Sequence, residues 1–256
     1  MTKESGAHKM KKFVPIFKKL FDVSVVDRPI IVCSDLHMGD RSKADDFERN
    51  ELLLWNVLDV YPLAINVWLG DIMELWQTKQ HKIVTAYSKL LKRMCEGNGV
   101  YVTGNHDHAL SAWHDILTCG YYIRDKVLFI HGHQPDRWNG KYKFIGKTVT
   151  WLGGMIERIG WQNVDCFTKE LKILKNSVTP SEMTDSNFGE VEDLYVDWAV
   201  GEAKEHNCKV IVFGHTHRPG VVERDGVLVV NAGSWVSNNP TFVRVCSREV
   251  TLMQAE

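Results

Sequence analysis

Five short blocks of this 256-residue chain place acids, amides and imidazoles directly after an apolar run. "SDLHMGD" carries Asp35 and His37, "LGDIMELW" carries Asp71, and "TGNHDH" carries Asn105, His106 and Asp107. "FIHGH" carries His131, and "VFGHTHRPG" carries His215 and His217. Imidazole combined with carboxylate suits borderline divalent cations such as Mn, Fe or Zn better than Ca or Mg. Cysteine is absent from the blocks, which argues against a Cys-rich structural zinc site. Taken alone, His215 and His217 in their Gly/Pro-bounded turn are either a ligand pair or a polar turn. The weight lies in the recurrence of one arrangement at every strand-like end.

The elements that must position these groups are legible around them. Residues 29–35, 64–71, 99–107, 126–133 and 208–217 read as short buried strands, each ending in Asp, Asn or His. Residues 45–60 and 83–97 read as helices, the second stopped by Gly97. Residues 226–234 and 241–253 add β-rich segments at the end of the chain. Strand–helix alternation followed by strands predicts an α/β fold with layered mixed sheets. Loops beyond the carboxyl ends of such strands gather along one edge, so groups distant in sequence can converge there. Residues 134–190 break the pattern, with helical composition and Trp138, Trp151 and Trp161, and a helix over 190–206 follows. The region from about 134 to 206 reads as a helical insertion beside the site, either a lid or aromatic packing on the core.

In order, the blocks DxH, GD, GNH[DE], a lone His and GHTH resemble the calcineurin-like metallophosphoesterase superfamily, over residues 35–217. The resemblance implies a four-layer α/β/β/α sandwich of two mixed sheets, occupying 29–256. It implies two divalent metal ions, Mn first with Fe or Zn as alternatives. Asp35, His37, Asp71 and His217 would bind one ion. Asp71 would bridge to the second, which Asn105, His131 and His215 would also hold. Two carboxylates do not neutralise two such cations, and the remaining positive field suits a hydroxide and a phosphate oxyanion. The implied reaction is hydrolysis of a phosphoester or pyrophosphate by attack of metal-bound hydroxide. His106 resembles the family's catalytic histidine, stabilising phosphoryl oxygens or protonating the leaving group. Asp107 either orients His106 or caps a turn. Arg218 either grips phosphate in bidentate fashion or salt-bridges its turn. His108, His133, Asp40 and Arg41 either meet substrate or are flanking polar residues.

A narrower resemblance is to the UDP-2,3-diacylglucosamine hydrolases, through "GDIMELW" and "GHTHRP", chain length and the insertion. It implies a nucleotide-sugar-lipid pyrophosphate as substrate, within a wider class of small-molecule or lipid-linked phosphoesters. The chain departs from that group at His106, where the group usually has Arg, in "GHQPD" after His131, and in its N-terminal extension. Cyclic-nucleotide or nucleic-acid phosphodiesterase activity is one alternative, and a metal-binding scaffold without turnover is another. A net charge of −1 and the lack of a basic stripe give no nucleic-acid signal. Filled ligand positions throughout argue against a scaffold free to lose them.

Six scattered cysteines without a CxxC pair suit reduced thiols in a cytoplasmic protein. No apolar run approaches the roughly 20 residues that span a bilayer, and no signal-peptide core is present. Residues 1–28 form a basic amphipathic segment. Phe13, Ile16, Phe17, Leu20 and Phe21 fall at helical spacing, with Lys11, Lys12, Lys18 and Lys19 mostly on other faces and Pro15 in the first turn. Such a helix would either pack on the domain or, through residues 11–21, lie peripherally at the inner face of the membrane.

Overall fold

The computed structural model describes residues 13–20, 28–96, 99–107, 117–135, 188–246 and 249–256. The strands are β1 (Val14–Leu20), β2 (Ile30–Cys33), β3 (Ile65–Leu69), β4 (Val100–Val102), β5 (Leu117–Cys119) and β6 (Tyr121–Arg124). They continue as β7 (Val127–Ile130), β8 (Val210–Phe213), β9 (Gly220–Arg224), β10 (Val227–Asn231), β11 (Thr241–Cys246) and β12 (Glu249–Gln254). The helices are α1 (Glu51–Val60), α2 (Gln80–Ala86), α3 (Ser88–Cys95) and α4 (Phe188–Glu205).

The strands form a seven-stranded sheet, ordered β1-β12-β11-β2-β3-β4-β5, and a five-stranded sheet, ordered β6-β7-β8-β10-β9. In the first sheet, β2 through β5 run parallel, and β11, β12 and β1 add antiparallel strands. In the second, β7, β8 and β10 are parallel between antiparallel edges.

Side-chain alternation builds four layers from these two sheets. Ile30 and Val32 of β2 meet Val67, Leu69, Val210, Val212 and Val230 in the core between the sheets. Their neighbours Ile31 and Cys33 turn the other way, under Leu54 of α1 and Leu90 and Met94 of α3. On the far side, Leu128, Ile211 and Val229 pack beneath Tyr195, Ala199 and Ala203 of α4. Central strands covered on both faces need apolar residues at every position, which is why β2, β3 and β8 read as unbroken apolar runs. The result is the α/β/β/α sandwich of two mixed sheets expected from the sequence.

Several local readings change. Residues 14–20 form a strand, not a helix, and pair antiparallel with β12 with an irregularity between Pro15 and Phe17. Proline lacks an N–H to donate to a ladder, so it is confined to such edges and bulges. Phe17 packs against the inter-sheet core, and Phe13 lies edge-on to Phe242 and stacks near Tyr61. Phe13 and Phe17 are thus spent on the domain, while Ile16 stays half exposed. The helix expected over 83–97 is two helices joined at Tyr87, whose backbone is non-helical at φ −119° and ψ 26°. Tertiary contacts hold it there: the Tyr87 hydroxyl donates to Asp45 Oδ2 at 2.7 Å, and the Arg41 guanidinium lies 4.2 Å over its ring. Most of the insertion read over 134–206, with Trp138, Trp151 and Trp161, lies outside the described residues, and α4 is its described end. Among the described residues no helix is long and apolar enough to cross a membrane, and Cys33, Cys95, Cys119, Cys208 and Cys246 are unbridged.

Candidate metal centre

Each block of the sequence leaves the carboxyl end of a strand: Asp35 and His37 after β2, Asp71 after β3, Asn105 to Asp107 after β4, His131 after β7, and His215 and His217 after β8. Backbone bonds zip the first two loops together, with Asp35 N–H donating to the Gly70 carbonyl at 3.1 Å and His37 N–H to the Asp71 carbonyl at 2.8 Å. The turns that aim these side chains are strained. Asp35, His37, Asp71, His215 and His217 all adopt left-handed backbone, with φ between 47° and 66°. Each such non-glycine residue costs of order 1–3 kcal/mol and persists only when the surrounding structure over-determines it. Two glycines let the blocks approach: a Cβ on Gly104 would strike the Asp71 carboxylate, and one on Gly214 would strike Ser34 and the Asp35 carboxylate.

Three groupings of donor atoms result, each with its atoms within 4.8 Å of one another: Asp35, His37 and His217; His37, Asp71 and His106; and Asp71, His131 and His215. In the first, His37 Nε2 and His217 Nε2 face each other at 3.3 Å, and His217 Nε2 lies 3.2 Å from Asp35 Oδ1. In the third, His131 Nε2 lies 3.2 Å from Asp71 Oδ2, and it is 3.3 Å from Asn105 Oδ1.

Outer contacts fix which ring nitrogens point inward. His131 Nδ1 lies 2.9 Å from the Leu69 carbonyl, and His37 Nδ1 lies 2.9 Å from Glu74 Oε2. Both partners only accept, so Nδ1 carries the proton and Nε2 presents its lone pair to the centre. Lone pairs of imidazole then face carboxylate oxygens and one another. That arrangement needs positive charge between the acceptors, either protons or a cation. The donor set therefore fits divalent cations of the borderline class, and Asp71 belongs to more than one grouping.

The electrostatics of the donor groups agree. Burial alone would lower the pKa of His131, but Asp71 and Asp35 beside it raise it to about 9. His37 is likewise raised well above the ordinary histidine value against the effect of burial, by Asp35, Glu74 and Asp71. Burial would raise Asp35, yet His131, His217 and His37 hold it well below the usual carboxylate range.

Around this centre the roles of two acids differ from expectation. Asp107 does not orient His106. Its carboxylate accepts from Ile72 N–H at 2.6 Å, Gly104 N–H at 2.7 Å and the Tyr101 hydroxyl at 2.5 Å, pinning the β4 loop to the β3 loop. Adjacent residues in a tight turn point different ways, so Asp107 takes the turn-capping role. The acid on His106 is Glu74, whose oxygens lie 2.9 and 2.8 Å from His106 Nδ1. Glu74 thus ties His37 and His106 together, and although burial opposes it, the two imidazoles lower its pKa to about 2. Sequence reasoning missed this residue. Its signal was a single acid within the apolar run Ile72, Met73, Glu74, Leu75, Trp76, where a buried charge demands a partner.

Trp76 is the second missed residue. Its ring stacks on His106 at 4.0 Å and 15°, and its Nε1 donates to the Asn105 carbonyl at 2.9 Å. Trp76→Phe keeps an aromatic face and loses the N–H donor. The expected result is a threefold to tenfold loss of kcat, roughly the worth of one net hydrogen bond, with metal content unchanged. Steady-state kinetics beside elemental analysis would check it.

The flanking candidates divide. Arg41 is taken up structurally: its guanidinium bonds Glu51 at 2.6 Å and the Ala86 carbonyl at 3.0 Å. Asp40 lies 3.7 Å from Lys82. The His133 ring is 5.5 Å from that of His131, beside the centre. Arg218 is among the residues lining a concavity between α4 and β9. His108 lies outside the described residues.

The calcineurin-like phosphoesterase family profile matches residues 28–219. No curated protein sequence matches significantly. Among solved structures, a predicted phosphoesterase from Streptococcus pneumoniae TIGR4 is similar at 15% identity and TM-score 0.39, covering 88% of each chain. Vacuolar Protein Sorting 29 from Cryptosporidium parvum is similar at 15% identity and TM-score 0.41, covering 90% of each. A phosphoesterase from E. coli is similar at 14% identity and TM-score 0.36, covering 84% of this chain and 87% of that one. With a profile match that runs from the start of β2 through the last histidine pair, the chain belongs to the calcineurin-like phosphoesterase family.

Proposed function

We propose that the chain hydrolyses phosphoesters with two divalent cations, Mn first and Fe or Zn as alternatives. The observation that carries the reading is that Asp71 belongs to two donor groupings, one with His37 and His106 and the other with His131 and His215. Asp35, His37, Asp71 and His217 would hold one cation, and Asp71, Asn105, His131 and His215 the other. Bound divalent cations would lower the pKa of water toward neutrality and stabilise charge on a phosphoryl group during in-line displacement.

The chain's own groups supply the rest. His106 is more exposed than Asp71, at 15% against 2%, so it is placed to meet a substrate. Glu74 accepts from His106 Nδ1–H, so as an imidazolium, protonated on both nitrogens, the ring would give its Nε2 proton to a leaving oxygen or donate to phosphoryl oxygens. Trp76 holds the ring plane. The finer substrate reading, a nucleotide-sugar-lipid pyrophosphate, draws its support from "GDIMELW", whose Glu74 and Trp76 enclose His106.

The test is hydrolysis by Mn-loaded protein of 4-nitrophenyl phosphate, bis(4-nitrophenyl) phosphate and UDP-2,3-diacylglucosamine side by side. Cleavage of the lipid substrate far above the chromogenic ones supports the finer reading. Cleavage of the chromogenic esters alone keeps the phosphoesterase and sinks the lipid substrate. Loaded protein that cleaves none of the three overturns the proposal. Cation binding should also register in stability. At Mn concentrations about 100-fold above Kd, each site adds about 2.7 kcal/mol to the folded state, so Tm should rise by several degrees over the chelated protein in a thermal melt.

A further inference from the structure

The donor groups leave the carboxyl ends of the parallel strands, so the amino ends of β3 and β4 form the opposite edge of the sandwich. A cavity of about 450 Å³ opens there, between the first residues of β3 and β4 and the end of β6. That volume is within the range of small-molecule sites. It is lined by Arg28, Ile65, Gly99, Val100, Tyr122 and Arg124. Ile65 and Val100 belong to the core between the sheets, and Tyr122 packs against it. The cavity is thus a mouth of the inter-sheet layer with an apolar floor. Strand pairing brings two arginines to its rim. β6 runs antiparallel to β7, so Arg124 at its end lies opposite Val127 at the start of β7, and Tyr122 shares its face of the strand. The Pro29 carbonyl accepts from Ile65 N–H at 2.9 Å, which sets Arg28 beside the start of β3. Asp71 follows the other end of β3, about 20 Å away along an extended strand, so this edge is separate from the metal centre.

The charge at this mouth is positive. Arg28 is exposed and has no carboxylate partner among the described residues. Asp125 Oδ2 lies 3.5 Å from Arg124 Nε, on one edge of that guanidinium, so one acid stands against two cations. We propose that the cavity binds a small organic phosphate or phosphonate, its dianionic head between Arg28 and Arg124 and its apolar part over Ile65, Val100 and the Tyr122 ring. Two guanidiniums match a doubly charged head, and each can offer it paired N–H donors. The apolar floor and the aromatic ring favour an organic ligand over a bare anion. The site lies apart from the metal centre, and the inference does not depend on the phosphoesterase reading.

The experiment is calorimetric titration of the Mn-loaded full chain with phenylphosphonate, repeated in excess chelator. Binding by the cations should disappear with chelation, and a single equivalent at the cavity should remain. Arg28→Ala and Arg124→Ala should each weaken that equivalent by about tenfold or more, the scale of one lost hydrogen bond to a charged group. Arg28→Lys and Arg124→Lys keep the charge without the planar fork and should weaken it less. An unchanged Tm in each variant shows that the chain is folded. Inorganic phosphate should bind the same equivalent more weakly than phenylphosphonate, and equal affinity for the two overturns the organic class of ligand. Alanine variants that bind phenylphosphonate as tightly as wild type, with cations and without, overturn the site. A cavity equivalent that is lost in both alanine variants, in a protein that hydrolyses none of the phosphoesters above, keeps this site and defeats the phosphoesterase reading alone.

Discussion

Asp71→Ala is expected to empty both cation sites and to reduce turnover by about a thousandfold or more, beyond the range for one lost electrostatic group. The reason is the position of this one carboxylate. Its Oδ2 lies 3.2 Å from His131 Nε2 and 3.9 Å from His37 Nε2, so each of the two groupings it completes would lose its shared anion. Its Oδ1 accepts the His106 N–H at 2.8 Å, which ties the β4 loop to the centre. In metal-free protein the removal also strands the His131 imidazole, buried and raised to about pKa 9 by Asp71 and Asp35 against the effect of burial. Breaking a buried pair of this kind costs about 3–5 kcal/mol, so the variant should also melt earlier in chelator. Asp71→Asn preserves the shape and the bond to the His106 N–H while removing the charge. It should lose metal and turnover with a smaller drop in Tm. Elemental analysis together with melts in chelator separates these effects, and an Asp71→Asn protein holding two equivalents of Mn would sink the shared role.

The central strands and the donor blocks were legible because burial on both faces writes a continuous apolar run and a strand end writes a sudden polar residue. β2, β3 and β8 are buried at every position, and each is followed by Gly-, Asp- or His-containing turns. β5, β6 and β9 lacked that signature. Their patterns mix exposed and half-buried positions, which leaves no continuous apolar run to read. β1 failed for a different reason. Phe13, Ile16 and Phe17 satisfy a helical period, but what decides the structure is the free edge of β12, which no local pattern announces.

At the centre, residue types could be read and directions could not. His106 and Asp107 are neighbours in sequence, which suggested a pair. The chain turns between them, and Asp107 serves Ile72, Gly104 and Tyr101 instead. The partner of His106 came from another strand end, 32 residues earlier. Arg218 likewise follows a centre histidine in sequence but lines a concavity beside Tyr195 and Val229. Contacts with other strand ends, not proximity in sequence, assign the roles of His106 and Asp107.

His106→Ala carries the second large effect, and its value lies in what must not change. The His106 side chain falls within reach of His37 and Asp71, so its ring could serve as a further donor to a cation or as a proton-transfer group. The two roles give different outcomes. If the ring acts on substrate, the alanine variant keeps both equivalents of metal and loses roughly 100-fold or more in kcat, the scale of a missing acid or oxyanion group. If the ring is a cation donor, metal is lost along with activity. We expect the first outcome, because His37 also belongs to the grouping with Asp35 and His217 while His106 belongs to a single grouping. Glu74→Gln then calibrates the comparison. The amide retains hydrogen bonding to one imidazole at a time, but it cannot accept from both with the charge that holds them. It should cost about 10-fold to 100-fold in activity or metal affinity, the usual scale for a group that orients a metal-site histidine. A Glu74→Gln loss as large as that of His106→Ala, with metal retained, would mean that the carboxylate acts wholly through His106. Weakened metal binding in Glu74→Gln alone would place its main work on His37, whose Nδ1 it holds at 2.9 Å.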